Sequence, residues 1–196
     1  MVDVTFCPPD LTAFCRLDDL GLVVVGQHVT SARAVLDCRA VPVPGDEFCR
    51  GCGVQGVVRD TVVRPVAHEP FGWRATTLAI RLRRWRCPNC KIVWRQDTTA
   101  AAEPRAKVSR GGLAWALEGI VVNFMSMSRV AAGLGVSWHT ANDAVLAEGR
   151  RRLISDPTRF EGVSVIGVDE HKVRREALLF RMGVRDHHRL AVVAVG

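Results

Sequence analysis

The chain has 196 residues, with 27 lysines and arginines against 20 aspartates and glutamates and a formal net charge of +7. Hydrophobic residues make up 48% and charged residues 24%, which excludes a disordered protein. The longest apolar stretch, residues 113–125, contains Glu118 and Asn123 and is shorter than the roughly 20 residues of a membrane span. The N-terminus has no basic and apolar regions of a secretion signal, so we expect a cytoplasmic protein without a membrane segment.

The basic residues are concentrated in one part of the chain. Residues 1–48 form an acidic N-terminal segment with 3 basic and 7 acidic residues, whereas residues 49–110 contain 13 basic and 4 acidic residues. GC-rich coding accounts for much of the excess of arginine over lysine, but it does not account for this clustering. The basic block favours a polyanionic partner, and nucleic acid is the leading candidate.

Four of the seven cysteines form two C-x-x-C pairs. Two such turns supply four soft sulfur ligands, which is the tetrahedral set of structural Zn²⁺. The alternatives are cysteines that only pack, or the same ligands holding iron. The predicted zinc ligands are Cys49, Cys52, Cys87 and Cys90. Cys7, Cys15 and Cys38 lack this spacing and are expected to be core residues or free thiols.

Two strands are predicted between the cysteine pairs, over residues 55–66 and 74–86. In the second strand Leu78, Ile80 and Leu82 alternate on one face. Arg81 and Arg83 lie on the opposite face. A hairpin between two cysteine turns is typical of a zinc ribbon, so residues 49–96 are assigned to a β-rich zinc ribbon.

The next two segments predict a linker and three helices. Residues 97–110 are small and polar, which indicates a loosely held linker. Helical spacing follows over residues 113–124, and Ser126 or Ser128 can cap a short helix over residues 129–133. After a turn containing Gly135, Ser137 can cap a third helix that runs to about residue 152. This order predicts a helix-turn-helix DNA-binding domain over residues 111–153.

The N-terminal end of the third helix carries side chains that can read base edges. Asparagine can make two hydrogen bonds to adenine, and tryptophan can lie against a thymine methyl group or a sugar. The alternative is a generic three-helix hairpin in which Trp138 is buried. The predicted base-reading residues are Trp138, His139, Asn142 and Asp143. The predicted phosphate contacts are Arg81, Arg83, Lys107, Arg110, Arg150, Arg151 and Arg152.

The last segment, residues 161–196, predicts strands without a covering helix. The apolar run over residues 163–168 suits a buried strand and ends at Asp169, whose carboxylate suits Mg²⁺. Strands could follow over residues 177–182 and 190–195, joined by a polar turn at residues 185–188. A three-stranded meander of this kind is difficult to stabilise alone, so we expect the chain to be the N-terminal part of a longer protein architecture.

The order of these motifs resembles the insertion-sequence transposases of the ISL-three family, over roughly residues 15–175. Three motifs carry the resemblance: Arg84-Trp85-Arg86-Cys87-Pro88-Asn89-Cys90, Ala132-Gly133-Leu134-Gly135-Val136-Ser137 and Val165-Ile166-Gly167-Val168-Asp169-Glu170-His171. The resemblance implies a ribonuclease-H-like catalytic domain with an Asp-Asp-Glu triad that holds two Mg²⁺ ions. It would make Asp169 the first member of that triad.

The sequence departs from the family pattern after Arg175, because no second aspartate and glutamate follow at the expected distance. Glu176 and Asp186 lie too close to Asp169 for these roles. We therefore expect DNA binding to terminal inverted repeats without strand transfer, with a homo-oligomer or a full-length relative as a possible protein partner. The alternatives are a stand-alone zinc-ribbon and helix-turn-helix regulator, and a Cys₄ metalloprotein that does not bind DNA.

The predicted fold class is an α+β multidomain protein. It consists of a β-rich zinc ribbon, a three-helix helix-turn-helix and the first strands of a ribonuclease-H-like α/β domain.

Overall fold

The computed structural model describes residues 10–155, 157–158, 161, 165–171 and 189–195. The chain divides into two compact units, Met1–Gly149 and Arg150–Gly196. The first unit combines a mixed five-stranded sheet with helices, so the fold class is α+β. Among the described residues, no helix is both long and apolar enough to cross a bilayer.

The acidic N-terminal segment contributes regular structure to the sheet, which the sequence had not indicated. A short helix α1, Leu11–Phe14, is capped by Asp10, whose Oδ1 accepts a hydrogen bond from the Thr12 amide. Strands β1, Leu22–Val29, and β2, Arg33–Ala40, then pair antiparallel.

The remaining strands of the sheet are β3, Val57–Phe71, β4, Arg74–Arg86, and β5, Val93–Arg95. Their order is β1-β2-β4-β3, and β5 pairs with the end of β4. Strand β4 has the predicted bounds, but β3 runs five residues past its predicted end at residue 66. Strand β3 lies at an edge of the sheet. Pro65 and Pro70, which have no backbone N–H, are therefore tolerated, because no further strand of the sheet pairs with the outer side of β3.

The inner face of the sheet carries the main hydrophobic core. Alternate residues of β2 and β4, such as Leu36, Leu78 and Ile80, are fully buried there. Strands β2 and β4 run parallel, and Leu36 pairs directly with Leu78. The N-terminal segment therefore shares one core with the hairpin instead of lying beside it.

Residues 97–110 are packed against this core and do not form the loosely held linker that was expected. Ala101 and Ala102 are almost completely buried in it. Arg64 reaches from β3 to this segment and donates hydrogen bonds to Thr98 Oγ1 at 2.9 Å and to the carbonyls of Glu103 and Ala106 at 2.6 and 3.1 Å. Burial lowers the pKa of Arg64. The small, polar composition of residues 97–110 did not predict this packing. The residues of the segment that are buried in this core are alanines, which are also common in loops.

Three helices follow, each displaced slightly from its predicted bounds. Helix α2 spans Arg110–Val121 because Ser109 caps it, α3 spans Met127–Leu134 with Ser126 as its cap, and α4 spans Trp138–Gly149. The third helix was expected to reach residue 152, but a π-helical turn, Arg150–Ile154, replaces its last part. These helices enclose a second core that includes Val130, Leu134 and Val145.

The described part of the second unit contains two antiparallel strands, β6, Val165–His171, and β7, Arg189–Val195. Strand β6 does not end before Asp169 as predicted, because the ladder continues through Glu170 and His171. Asp169 pairs with Ala191. The predicted strand at 177–182, the turn at 185–188, Glu176 and Asp186 lie outside the described residues.

Candidate metal centre and nucleic-acid interface

The first cysteine pair lies on a tight turn closed by backbone hydrogen bonds. The amide of Cys49 donates to the carbonyl of Val54 at 2.9 Å, and the amide of Gly53 donates to the carbonyl of Cys49 at 2.8 Å. Gly53 has φ +71°, a left-handed conformation that glycine adopts without steric cost. The turn therefore holds Cys49 and Cys52 on the same side of the chain.

The second pair repeats this geometry position by position. The amide of Cys87 donates to Ile92 at 2.8 Å, and the amide of Lys91 donates to the carbonyl of Cys87 at 3.2 Å. Lys91 occupies the position equivalent to Gly53 and has φ +65°. A non-glycine residue rarely adopts this conformation. Two equivalent turns thus present two sulfurs each.

The two turns bring all four sulfur atoms together. The Sγ atoms of Cys49 and Cys90 are 3.4 Å apart, those of Cys52 and Cys87 are 3.4 Å apart, and those of Cys52 and Cys90 are 3.7 Å apart. All four lie within 4.8 Å of one another. Tetrahedral Zn²⁺ with Zn–S bonds of about 2.3 Å places its ligands roughly 3.8 Å apart. The four cysteines therefore form a cluster that could hold a metal ion, and their geometry fits zinc.

The electrostatics of the cluster favour a bound cation. Burial would raise the pKa of Cys87, but the backbone amide of Cys90 and the thiol of Cys52 lower it to about 6. The amide of Ile92 would lower the pKa of Cys90, but hydrogen bonds with the thiols of Cys49 and Cys87 raise it to about 12. Four thiolates at these distances repel each other, and a divalent cation between them removes the repulsion.

The surroundings of the cluster join the first turn to β5. Trp94 stacks on Trp85 with ring centroids 6.2 Å apart, and its Nε1 donates to the carbonyl of Asp46 at 2.7 Å. A Cβ at Gly56 would lie 2.5 Å from the Trp94 ring, so only glycine fits there. Burial raises the pKa of Asp46, whose Oδ2 accepts a hydrogen bond from the Asp97 amide at 2.8 Å.

The remaining described cysteines do not join the cluster. Cys15 and Cys38 are buried in the main core, as the sequence predicted for residues without metal-ligand spacing. Burial raises the pKa of Cys15, and it raises the pKa of Cys38 to about 12. Cys7 lies outside the described residues.

The turn between α3 and α4 has a well-defined geometry. Gly135 ends α3 with φ +65°, and a Cβ there would lie 2.9 Å from the Cβ of Ala75 in β4. The hydroxyl of Ser137 accepts a hydrogen bond from the amide of Thr140 at 3.2 Å, which satisfies a free donor at the start of α4. Ala141 and Val145 face the second core.

The predicted base-reading residues lie on the accessible side of α4. Trp138 is 47% exposed and its ring packs edge-on against His139, with centroids 5.4 Å apart. His139 and Asp143 are exposed, and Asn142 is half-buried. The alternative in which Trp138 fills a core is therefore not what the structure has.

The predicted phosphate contacts occupy different environments. Arg81, Arg83 and Lys107 are exposed. Arg110 is half-buried, donates to the Thr99 carbonyl at 2.8 Å and forms an ion pair with Glu103, so part of its charge is neutralised within the chain. The other three lie in the π-helical turn and are exposed: Arg150, Arg151 and Arg152.

Sequence reasoning missed one arginine beside Arg81. Arg39 of β2 pairs with Arg81 of β4, and directly paired residues share a face of the sheet. Arg39 was assigned to the acidic segment, and only the parallel pairing of β2 with β4 reveals its place. Asp37 lies two residues before Arg39 on β2 and shares its face of the sheet.

Comparison with known proteins gives no significant match to a family model, a curated protein or a solved structure. The resemblance to ISL-three transposases therefore rests on the sequence motifs alone.

Proposed function

We propose that the chain is the DNA-binding part of a transposase that recognises the terminal inverted repeats of an insertion sequence. The observation that carries this proposal is the pair α3 and α4, joined by a glycine turn, with Trp138, His139 and Asp143 exposed on α4. A helix presented in this way fits the major groove of B-DNA.

The sheet supports the same proposal through its charge. Arg39 and Arg81 are adjacent and exposed, and Arg83 follows on the same face of β4. Within the described residues, none of these three side chains forms an ion pair. Like charges placed side by side destabilise a sheet unless a polyanion neutralises them. Phosphates of a duplex supply that charge.

In this proposal zinc has a structural role. Cys49, Cys52, Cys87 and Cys90 would hold the ion, which joins the loop before β3 to the end of β4. A structural zinc site supplies folding free energy to the small module around it. The zinc therefore fixes the hairpin that carries Arg81 and Arg83.

The proposal is tested by selecting duplexes from a randomised library with the purified chain. We expect recovery of one preferred sequence. Asn142→Ala should relax the preference at one base pair, since a base contact is worth about 1–3 kcal/mol of discrimination. Arg81→Ala should weaken binding to all sequences and reduce the slope of log K against log salt by about one.

Lys107→Ala and Ala132→Ser serve as a second phosphate probe and as an exposed neutral control. Failure to enrich any duplex, or identical effects of Asn142→Ala and Arg81→Ala on every sequence, would contradict the proposal. Binding should not require Asp169, so Asp169→Ala should bind like the unmodified chain.

A further inference from the structure

The tip of the β3–β4 hairpin, residues 72–74, presents an aromatic side chain to solvent. Gly72 has φ +66° and forms the turn, and Trp73 follows it with 77% of its surface exposed. A side chain of this size is usually covered, because tryptophan buries 150–250 Å² when it packs. Single exposed hydrophobic side chains are common on protein surfaces, so the surroundings of the indole decide whether it forms a contact surface.

The tip is held in a fixed position. The guanidinium of Arg74 lies 4.5 Å from the centroid of the Trp73 ring, a cation–π arrangement. Its Nε donates a hydrogen bond to the carbonyl of Thr30 at 2.7 Å. Thr30 is in turn fixed by a hydrogen bond from its amide to Arg33 at 2.8 Å. The indole is thus positioned before any partner arrives, which lowers the entropic cost of binding.

The same tip lies against the end of α3. Ala75, two residues after Trp73, contacts the turn at Gly135, and α4 begins three residues later at Trp138. On the other side of the tip, a Cβ at Gly133 would lie 3.4 Å from Pro70 Cγ. The hairpin tip and the N-terminal end of α4 are therefore neighbours.

The charge of the tip suits a polyanion. Arg74 is at the tip, and exposed Arg33 pairs with Ala75, so Arg33 lies on the sheet face that the Gly135 turn covers. Glu69 is an acid near the tip, where burial raises its pKa and the charge of Arg16 lowers it. An aromatic plane beside guanidinium groups can lie along sugars and phosphates of a duplex.

Resting on the proposed function, we propose that Trp73 and Arg74 form a second DNA-contacting element, which grips the duplex beside the base pairs that α4 reads. Trp73 packs against the sugar edge of the flanking minor groove, and Arg74 and Arg33 neutralise the adjacent phosphates. This element lengthens the stretch of duplex that the protein contacts and raises the affinity. It does not change the base pairs that α4 selects.

The test uses the zinc-loaded full chain and a 40-base-pair duplex recovered from the randomised library. Trp73→Ala should weaken binding about tenfold, and Trp73→Phe should restore most of the affinity. Arg74→Ala should reduce the slope of log K against log salt by about one. Hydroxyl-radical footprinting should show protection lost at the flank in Trp73→Ala and retained over the centre.

Phe124→Ala is the matched control, because Phe124 is 88% exposed but precedes α3, at the end of that helix away from Gly135. Its affinity and footprint should equal those of the unmodified chain. Zinc content and helical circular dichroism should be unchanged in all variants.

The outcomes separate this proposal from the proposed function. If the unmodified chain recovers no duplex, the proposed function fails and the second contact fails with it. If the chain binds DNA and Asn142→Ala relaxes its preference, but Trp73→Ala leaves affinity and footprint unchanged, only the second contact is overturned. An equal loss in Phe124→Ala and Trp73→Ala would also overturn it.

Discussion

His68 connects the sheet to helix α2 through a single buried hydrogen bond. Its side chain is 2% exposed, and its Nδ1 lies 2.7 Å from Ser109 Oγ. The same Oγ accepts a hydrogen bond from the amide of Gly112 at 3.0 Å, so one hydroxyl contacts both the His68 ring and the first turn of α2. Burial lowers the pKa of His68 to about 4. The neutral ring is therefore part of the cap of α2.

This arrangement predicts a loss of stability in acid. The unfolded chain binds a proton at His68 below pH 6.5, whereas the folded chain binds it only below about 4. The stabilisation is thus fully present above pH 6.5 and decreases as the pH falls toward 4, by on the order of 3 kcal/mol. Denaturant unfolding between pH 4 and 8 measures it.

Two variants isolate the contribution of His68. His68→Asn should remove most of the slope between pH 6.5 and 4. Ser109→Ala should lower stability by about 1 kcal/mol at every pH and keep the slope. Burial raises the pKa of Glu69 and of Cys15, and protonation of Glu69 opposes the effect over the same range. An unchanged slope in His68→Asn would refute the assignment.

For single residues, the sequence predicted which side chains could bind a metal better than it predicted which side chains are buried. Spacing alone identified the four cysteines that form the cluster, because a C-x-x-C turn is a local structure. Nothing around His68 in the sequence indicated its burial, since that depends on α2 packing against a strand 41 residues earlier. Arg39 was missed for the same reason.

Among the elements, Arg64 and the segment that it holds show how a polar stretch becomes part of a core. The guanidinium makes hydrogen bonds to Thr98, Glu103 and Ala106, and Ala101 and Ala102 fill the space beneath. Helix α2 starts directly after this segment. The segment therefore connects the sheet and the helices rigidly.

The three hydrogen bonds of Arg64 are called the Arg64 clamp. Their loss should expose residues 97–110 to protease. Arg64→Ala should speed tryptic cleavage after Arg105 and Lys107 at least about tenfold, because each lost hydrogen bond to a charged group is worth roughly 1.5–3 kcal/mol. Arg64→Lys should give an intermediate rate, since an ammonium lacks the planar fork. Arg81→Ala, on the opposite face of the same sheet, should resist like the unmodified chain. Equal rates in all variants would show that the clamp does not hold the segment.

Prediction of the elements succeeded where periodicity was local. Strand β4 alternates regularly, and its predicted bounds agree with the structure. Strand β3 was predicted to end at residue 66, and its continuation to Phe71 includes Pro70, which an edge strand tolerates. Strands β1 and β2 were not predicted. The parallel pairing of β2 with β4 is a long-range contact that no local pattern specifies.

At the scale of the whole molecule, the cysteine cluster lies at the end of the β3–β4 hairpin away from its tip. The cluster joins chain segments 35–41 residues apart. Cys49 and Cys87 are buried, and Cys52 and Cys90 are exposed. A Zn²⁺ ion held by four thiolates would lower the net charge by two units from +7.

Cys87→Ser should lose the metal and unfold this end of the hairpin. Zinc, measured by plasma mass spectrometry, should fall from one ion per chain to almost none, and the thermal transition should shift to lower temperature. Cys38→Ser, at a buried cysteine outside the cluster, should keep one zinc per chain. Full zinc content in Cys87→Ser would contradict the assignment, and visible absorption of the unmodified protein would identify iron instead.

Strand β4 also fixes the distance between the helix pair and the cysteine cluster. It starts at the helix pair, beside Gly135, and ends one residue before Cys87, so twelve residue steps separate Ala75 from this cysteine of the cluster. At about 3.3 Å per residue, this corresponds to at most roughly 40 Å. One turn of B-DNA measures about 34–36 Å. Under the proposed function, a duplex lying along β4 would therefore present the same side to both ends of the strand, and the length of β4 would match about one helical repeat.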